Sequence, residues 1–394
     1  MTQLVAIADG PNLDAFSRLR VSGPQTLFDS KMSHDKQPLY WDEVLTGTGA
    51  ASTWADSQVT MEVAADRESA VRQTFQRFLY QPGKSQLVLM TGTLAPESGV
   101  TKRVGYFDAN NGIFFEVSGG KLYGVIRSGT VDTKTELSLT EAYAESVLRG
   151  AAQGIEVDLT KSAIFVIDFE YLGVGRVRWG LNIDGQLFYF ASNFHANRAV
   201  GPYMLRSNLP LRYEIVSTGG EGSMTQICAT VISEGATDLT GMLRSHDNGN
   251  THVDATTAGT SYLLCAIRLK ATHLDAIVTP QAVSVMSQTN DDFLWRLLLN
   301  PTIAGTPTWS DLTNSAVQTT VGATANTITG GYVLASGYGR QSTSQASQLG
   351  FASALRIGAS IAGTPDVLAL AIVPLGSGTV NADGLGEILW REQL

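Results

Sequence analysis

From about residue 61 to 235 the chain alternates between short runs of β-branched and aromatic residues and clusters of turn formers. MEVAA (61–65), SQLVLMTGTL (85–94), RVGYFD (103–108), GIFFEV (112–117) and KLYGVIR (121–127) come first. SAIFVIDFEYL (162–172), RVRWGLNI (176–183), QLFYFASNF (186–194), PLRYEIVS (210–217) and MTQICATVIS (224–233) follow. Asn110-Asn111-Gly112, Gly119-Gly120, Asp184-Gly185 and Gly219-Gly220 punctuate them. Each is a turn former of the kind that joins antiparallel strands. The clearest hairpin is RVRWGLNI and QLFYF closed by Asp184-Gly185. About ten strands at this spacing predict a β-sandwich of the concanavalin-like or jelly-roll kind.

The pattern changes on either side. Residues 1–60 scatter their apolar positions, and Gly10-Pro11 and Gly23-Pro24 interrupt any regular element. This predicts an extended N-terminal docking arm that ends in the loop-like LTGTGAASTWADSQ. TEAYAESVLRGAAQ (140–153), with Gly154 to stop it, predicts the one helix. Residues 236–258 are polar and irregular and predict a linker. SYLLCAIRLK, LDAIVTPQAVSVMSQT, DFLWRLLLN, VLALAIVPL and EILWREQL then predict a second β-sandwich over 259–394, with Thr-, Ala- and Gly-rich loops between. The expected fold is all-β: two sandwiches preceded by an arm.

Composition agrees and removes several function classes. The 394 residues carry 40 glycines, 43% hydrophobic and only 16% charged residues, which suits strands and tight turns. The formal net charge is −9 and no basic cluster occurs, so direct nucleic-acid binding is not expected. The N-terminus lacks the pattern of a signal peptide, and no apolar run reaches the ~18 residues of a spanning helix. A product made in a cytoplasm, without membrane insertion, is expected. Cys228 and Cys265 lie in apolar runs and are expected to be buried small hydrophobes, a disulfide between them being left open.

Candidate chemistry is sparse. VIDFEYLG (166–173) resembles the later part of the Glu-x-Asp-x-Glu strand motif of family-16 glycoside hydrolases, through Asp168, Glu170, Tyr171, Leu172 and Gly173. Strand alternation would place Asp168 and Glu170 on one face. The nucleophile's position in that motif holds Val166, which argues against activity. Trp41-Asp42-Glu43 is expected to be a solvated acidic face, and His195 a hydrogen-bonded structural histidine. His34, His246, His252 and His273 show no pairing at metal spacing. DANNG (108–112) and SHDNGN (245–250) could offer calcium ligands but are better read as Asx turns. No cofactor, metal or catalytic residue is assigned. Tyr106, Trp179, Tyr189 and Tyr203 would suit either a sugar platform or a core.

DAFSRLRVSGPQTLFDSK (14–31) and PLYWDE (38–43) resemble the opening of a family of virion structural proteins common among phages and environmental viral sequences. The resemblance continues through YQPGKSQLVLMTG (80–92), IDFEYLGVGRVRWG (167–180), FLWRLLLNPTIAGTPTW (293–309) and GGYVLASGY (330–338). It implies a place in a virus particle and contacts with other virion proteins. The expected function is a non-enzymatic, homo-oligomeric component of a tailed phage, in the tail, neck or fibre apparatus. A capsid decoration or head-fibre protein, or a module binding a host glycan or receptor, are the alternatives. Asp14, Phe16, Arg18, Arg20 and Phe28 are the subunit-docking candidates, because an extended arm would show charge on one side and apolar surface on the other.

Overall fold

The structure, a computed structural model, describes residues 23–137, 157–235, 240–289, 291–340, 345–348, 355–377 and 380–394. Every regular element among them is a β-strand, and every pairing between strands is antiparallel. The expected all-β fold is what forms.

Fifteen strands build the first sandwich. They are β1 (Gln25–Lys31), β2 (Trp41–Thr46), β3 (Ala51–Ala55), β4 (Gln58–Val63) and β5 (Ser69–Thr74). Next come β6 (Gln86–Thr93), β7 (Val100–Phe107), β8 (Asn111–Ser118), β9 (Lys121–Ser128) and β10 (Val131–Leu137). The last are β11 (Ala163–Phe169), β12 (Val177–Ile183), β13 (Gln186–Asn193), β14 (Leu211–Ser217) and β15 (Gly222–Ser233). One sheet runs β13-β12-β11-β6-β15-β4-β3, with β1 added alongside β15. The facing sheet runs β10-β9-β8-β7-β14-β5-β2. Alternation sends Phe165, Ile167 and Phe169 of β11 and Trp179 of β12 into the core against Tyr106, Phe115 and Tyr213.

Turn chemistry explains the hairpins. Asp184 and Gly185 both have positive φ, as do Gly119 and Gly120, which is the backbone a two-residue hairpin requires. Across the sheets, Trp179 lies directly over Gly124 of β9, where a Cβ would come within 2.6 Å of the indole. Gly124→Val is therefore expected to overpack the core and lose about 1–3 kcal/mol in urea unfolding.

Residues 25–60 do not form an extended arm. The strands β1, β2, β3 and the start of β4 belong to the two sheets. Phe28, expected to dock on a neighbour, is a core residue packed on Phe78 (ring centroids 5.1 Å apart) and Trp41 (6.2 Å). Irregular register between Thr26 and Phe28 turns its ring inward. The stretch ASTWADSQ, expected to be loop, is a hairpin in which Asp56 and Ser57 hold positive φ without a glycine. Asp14, Phe16, Arg18 and Arg20 lie outside the described residues, as does the helix expected over 140–153.

The second sandwich begins inside the expected linker. β16 (Met242–Asp247) and β17 (Val253–Ala255) both pair with the last strand of the chain. Polar composition hid them because β16 is an edge strand, mostly exposed. Then follow β18 (Ser261–Leu269), β19 (Ile277–Ser287), β20 (Phe293–Leu299), β21 (Thr302–Ile303) and β22 (Ser310–Asp311). β23 (Val317–Val321), β24 (Thr327–Thr329), β25 (Tyr332–Gly339), β26 (Gln345–Gln348), β27 (Val367–Pro374) and β28 (Ala382–Gln393) complete it. One sheet runs β16-β28-β19-β26 with β17 on β28; the other runs β21-β24-β18-β27-β20-β25 with β23 on β18. Leu264, Trp295, Ile372, Ile388 and Trp390 fill a core separate from the first.

An ion pair and hydrogen bonds fasten the sandwiches to one another. Arg206 Nη1 donates to both carboxylate oxygens of Asp275, at 2.9 and 2.8 Å. The Asp42 carboxylate accepts from the Ile361 amide at 2.6 Å, and the Ala359 amide donates to the Phe75 carbonyl at 3.2 Å. Gly358 sits so close to that carbonyl that a Cβ would lie 2.1 Å from it.

Candidate functional site

The acidic motif falls on β11, a strand inside its sheet with β6 on one side and β12 on the other. Its core-facing residues alternate with Val166 and Asp168, which lie on the opposite face. Val166 is fully buried, level with Leu89 on β6 and Gly180 on β12. Asp168 stands opposite Arg178, and the two form an ion pair. The Tyr189 hydroxyl donates to the same carboxylate oxygen at 2.9 Å. The Arg178 guanidinium lies 4.1 Å from the centre of the Tyr189 ring, a cation–π contact that locks the trio. Burial and the Asp168 negative charge both push the Tyr189 phenol up, so it stays a donor.

Glu170 does not join Asp168. β11 ends at Phe169, and Glu170 opens a turn in which Leu172 and Gly173 have positive φ. Its side chain is exposed, so the expected alternation stops one residue short of pairing the two carboxylates. A two-carboxylate hydrolysis needs one group free to act as nucleophile or base. Here the nucleophile's place is aliphatic and the remaining strand carboxylate is held by a cation and a phenol. The Asp168, Arg178 and Tyr189 trio can brace three strands, and Asp168 itself is not free to reach a substrate.

The other expected sites are also structural. His195 Nδ1 lies 3.1 Å from the Gly175 carbonyl and its ring stacks on Tyr203 at 4.3 Å, the hydrogen-bonded histidine anticipated. Asp108 Oδ1 accepts from the Asn110 and Asn111 amides, and Asp247 Oδ1 from the Gly249 amide, so both candidate calcium loops are Asx turns. Asp42 and Glu43 are not a solvated pair. Asp42 binds the second sandwich, and Glu43 takes Arg72 at 2.7 Å and Lys36 at 3.1 Å. Cys265 is buried, whereas Cys228 is exposed on β15 against expectation, and neither is in a disulfide. Tyr106, Trp179, Tyr189 and Tyr203 are all buried, which removes them as an exposed sugar platform.

Three features were not anticipated. His252 Nε2 lies 3.0 Å from Asp254 and 3.8 Å from Asp383, donors that could hold a divalent cation. The His-x-Asp spacing at the start of β17 was readable; Asp383, on β28, was not. The second is an ionic ladder on the outer face of the seven-stranded sheet. Arg212 and Arg103 both bind Glu214, Arg103 also binds Glu116 at 2.7 Å, and Lys134 caps Glu116. Beside it Phe107 and Phe114 stack at 4.3 Å, with Arg127 4.9 Å from the Phe114 ring. Every carboxylate of the ladder is engaged within the chain. The third, Arg356, lies in a cavity between the sandwiches.

No family model and no curated protein matches this sequence. Among solved structures, the chain is similar to a β-glucanase from Bacillus licheniformis (11% identity, 52% of this chain and 96% of that one, TM-score 0.34). It is also similar to an endo-β-1,3-glucanase from Pyrococcus furiosus (11% identity, 54% and 95%, TM-score 0.38). The carbohydrate recognition domain of Emp47p is a third (10% identity, 54% and 97%, TM-score 0.34). At these values the likeness carries no inference about what this chain does, which rests on its own residues.

Proposed function

We propose that this chain is a non-enzymatic structural protein of a tailed-phage particle, a homo-oligomeric component of the tail, neck or fibre apparatus. The observation that carries the non-enzymatic reading is β11: Val166 stands where a nucleophile would, and Asp168 is consumed by Arg178 and Tyr189. The particle reading is supported by the sequence resemblance, which runs from residue 14 to residue 338 across both sandwiches. Two cores fastened by an ion pair and hydrogen bonds suit a part that must hold its shape in an assembly.

Docking is assigned to the segment before β1, with Asp14, Phe16, Arg18 and Arg20 as its contact residues. Phe28 is excluded because it fills the chain's own core. Deleting residues 1–22 leaves β1 intact, whereas a cut to residue 35 would strip a strand from β15. The shorter deletion is expected to give a folded protein that no longer enters particles. Mass spectrometry of particles purified from the encoding phage checks this, with cryo-electron microscopy to locate the chain. Full occupancy by the truncated protein would refute the docking role. Absence of the intact protein from the particle would refute the structural reading.

A further inference from the structure

Between the two sandwiches lies a cavity of 410 Å³. That volume lies in the range of small-ligand sites. Tyr40 and Phe75 of the first sandwich and Leu299, Tyr332 and Leu355 of the second make its wall largely apolar. Into this wall is set Arg356, the one basic residue of the lining. Its Nη1 is buried without any hydrogen-bond partner, and the guanidinium makes no ion pair among the described residues. The one acid of the lining, Asp366, is already committed. It accepts from the Asn300 amide group at 2.7 Å and from the Gly358 backbone amide at 2.8 Å.

The backbone that carries Arg356 is pinned on both sides. Ile357 bridges Val278 of the second sandwich, and the Ala359 amide donates to Phe75 of the first. Burial depresses the pKa of Arg356, and Tyr106 acts in the other direction. An arginine does not lose its proton in a protein, so the charge stays and needs an anion.

We propose that this cavity binds a carboxylate carried on an apolar body, the carboxylate pairing with Arg356 and the body lying against the aromatic and leucine wall. The planar guanidinium fork matches a carboxylate in bidentate fashion. A phosphate or sulfate would bring more charge than one arginine answers and would have to shed its water against leucines and aromatic rings. A free acid and an acidic peptide side chain share this chemistry. The size of the site, 410 Å³, favours the free acid.

Titration calorimetry on the full chain with decanoate, 1-decanol and decyltrimethylammonium tests the proposal. Decanoate is expected to bind at least about tenfold more tightly than decanol, the factor one charge-assisted contact supplies, and the cation not at all. In Arg356→Met the preference for decanoate over decanol disappears, while the unliganded protein melts at a higher temperature because an uncompensated charge has gone. Arg356→Lys, which keeps the charge and loses the fork, retains part of the preference and guards against a folding artefact. Equal binding of decanoate and decanol to the unaltered protein would overturn the proposal. So would a lower melting temperature in Arg356→Met, which would mean that the guanidinium is already compensated within the fold. An acidic hexapeptide with flanking leucines that outcompetes decanoate would move the ligand from a free acid to a protein segment and overturn the choice made here.

Discussion

Val166→Glu is expected to give a less stable protein and no glycosidase. The side chain at 166 is fully buried between Leu89 and Gly180, on the face that also carries Asp168. A carboxylate there could not take Arg178, which is paired to Asp168. It would be held neutral by a raised pKa, since burial and a neighbouring like charge both disfavour ionisation. The loss on unfolding should be on the order of 4 kcal/mol. A retaining hydrolase places its two carboxyl groups about 5–5.5 Å apart in a cleft open to sugar. Here Asp168, the other carboxylate on this face, is locked by a cation and a phenol, and Glu170 lies past the end of the strand. Reducing-sugar assays on β-glucans should be silent for both proteins, and urea titration should register the destabilisation. Sugar release by the variant alone would instead identify a decayed enzyme and undo the reading of β11.

What the sequence disclosed and what it withheld follow from how far apart the partners lie. Period-two alternation in FVIDF predicts the strand and the face of Asp168, because face is set within one strand, but its extension to Glu170 fails where β11 ends at Phe169. Arg178 and Tyr189, which decide what Asp168 does, sit on two other strands and come into register only when the sheet forms. The hairpin at Asp184-Gly185 was legible since glycine announces positive φ; the one at Asp56-Ser57 was not, since neither residue does. Phe28 looked like an arm residue because a single strand with no partner in view cannot be told from an extended tail. Its partner, β15, lies far along the chain. β16 reads as linker because an edge strand exposed to water needs no hydrophobic alternation, and β17, though Val253 and Ala255 are buried, is too short for alternation to show. Local geometry was readable, and long-range pairing was not.

The ionic ladder shows the same limit and carries the second large effect. Arg103→Met should cost about 3 kcal/mol at neutral pH, the lower end of what breaking a buried pair costs, because each glutamate keeps one cation. Arg103 is the shared member: its guanidinium bonds Glu116 at 2.7 Å on one side and Glu214 on the other. Glu116 is 1% exposed and Glu214 7%, so neither can turn to water when that cation goes. Burial by itself raises both carboxyl pKa values. For Glu214 the neighbouring Arg212 and Arg103 outweigh that rise, and for Glu116 Lys134 and Arg103 do so. Both therefore lie below the ordinary value of 4.5. A depressed carboxyl pKa contributes stability that is complete above the unfolded value and disappears as the pH falls through the folded one. The unaltered protein should accordingly hold its ladder to below pH 4.5 and lose stability only in stronger acid. Without Arg103 the rise from burial is opposed by one cation at each glutamate instead of two, so both pKa values move upward and the acid transition begins at a higher pH. Urea titrations across the acid range measure both effects. An unchanged acid transition in a correctly folded Arg103→Met protein would mean that Arg212 and Lys134 alone hold the two glutamates ionised, and that the ladder is two independent pairs.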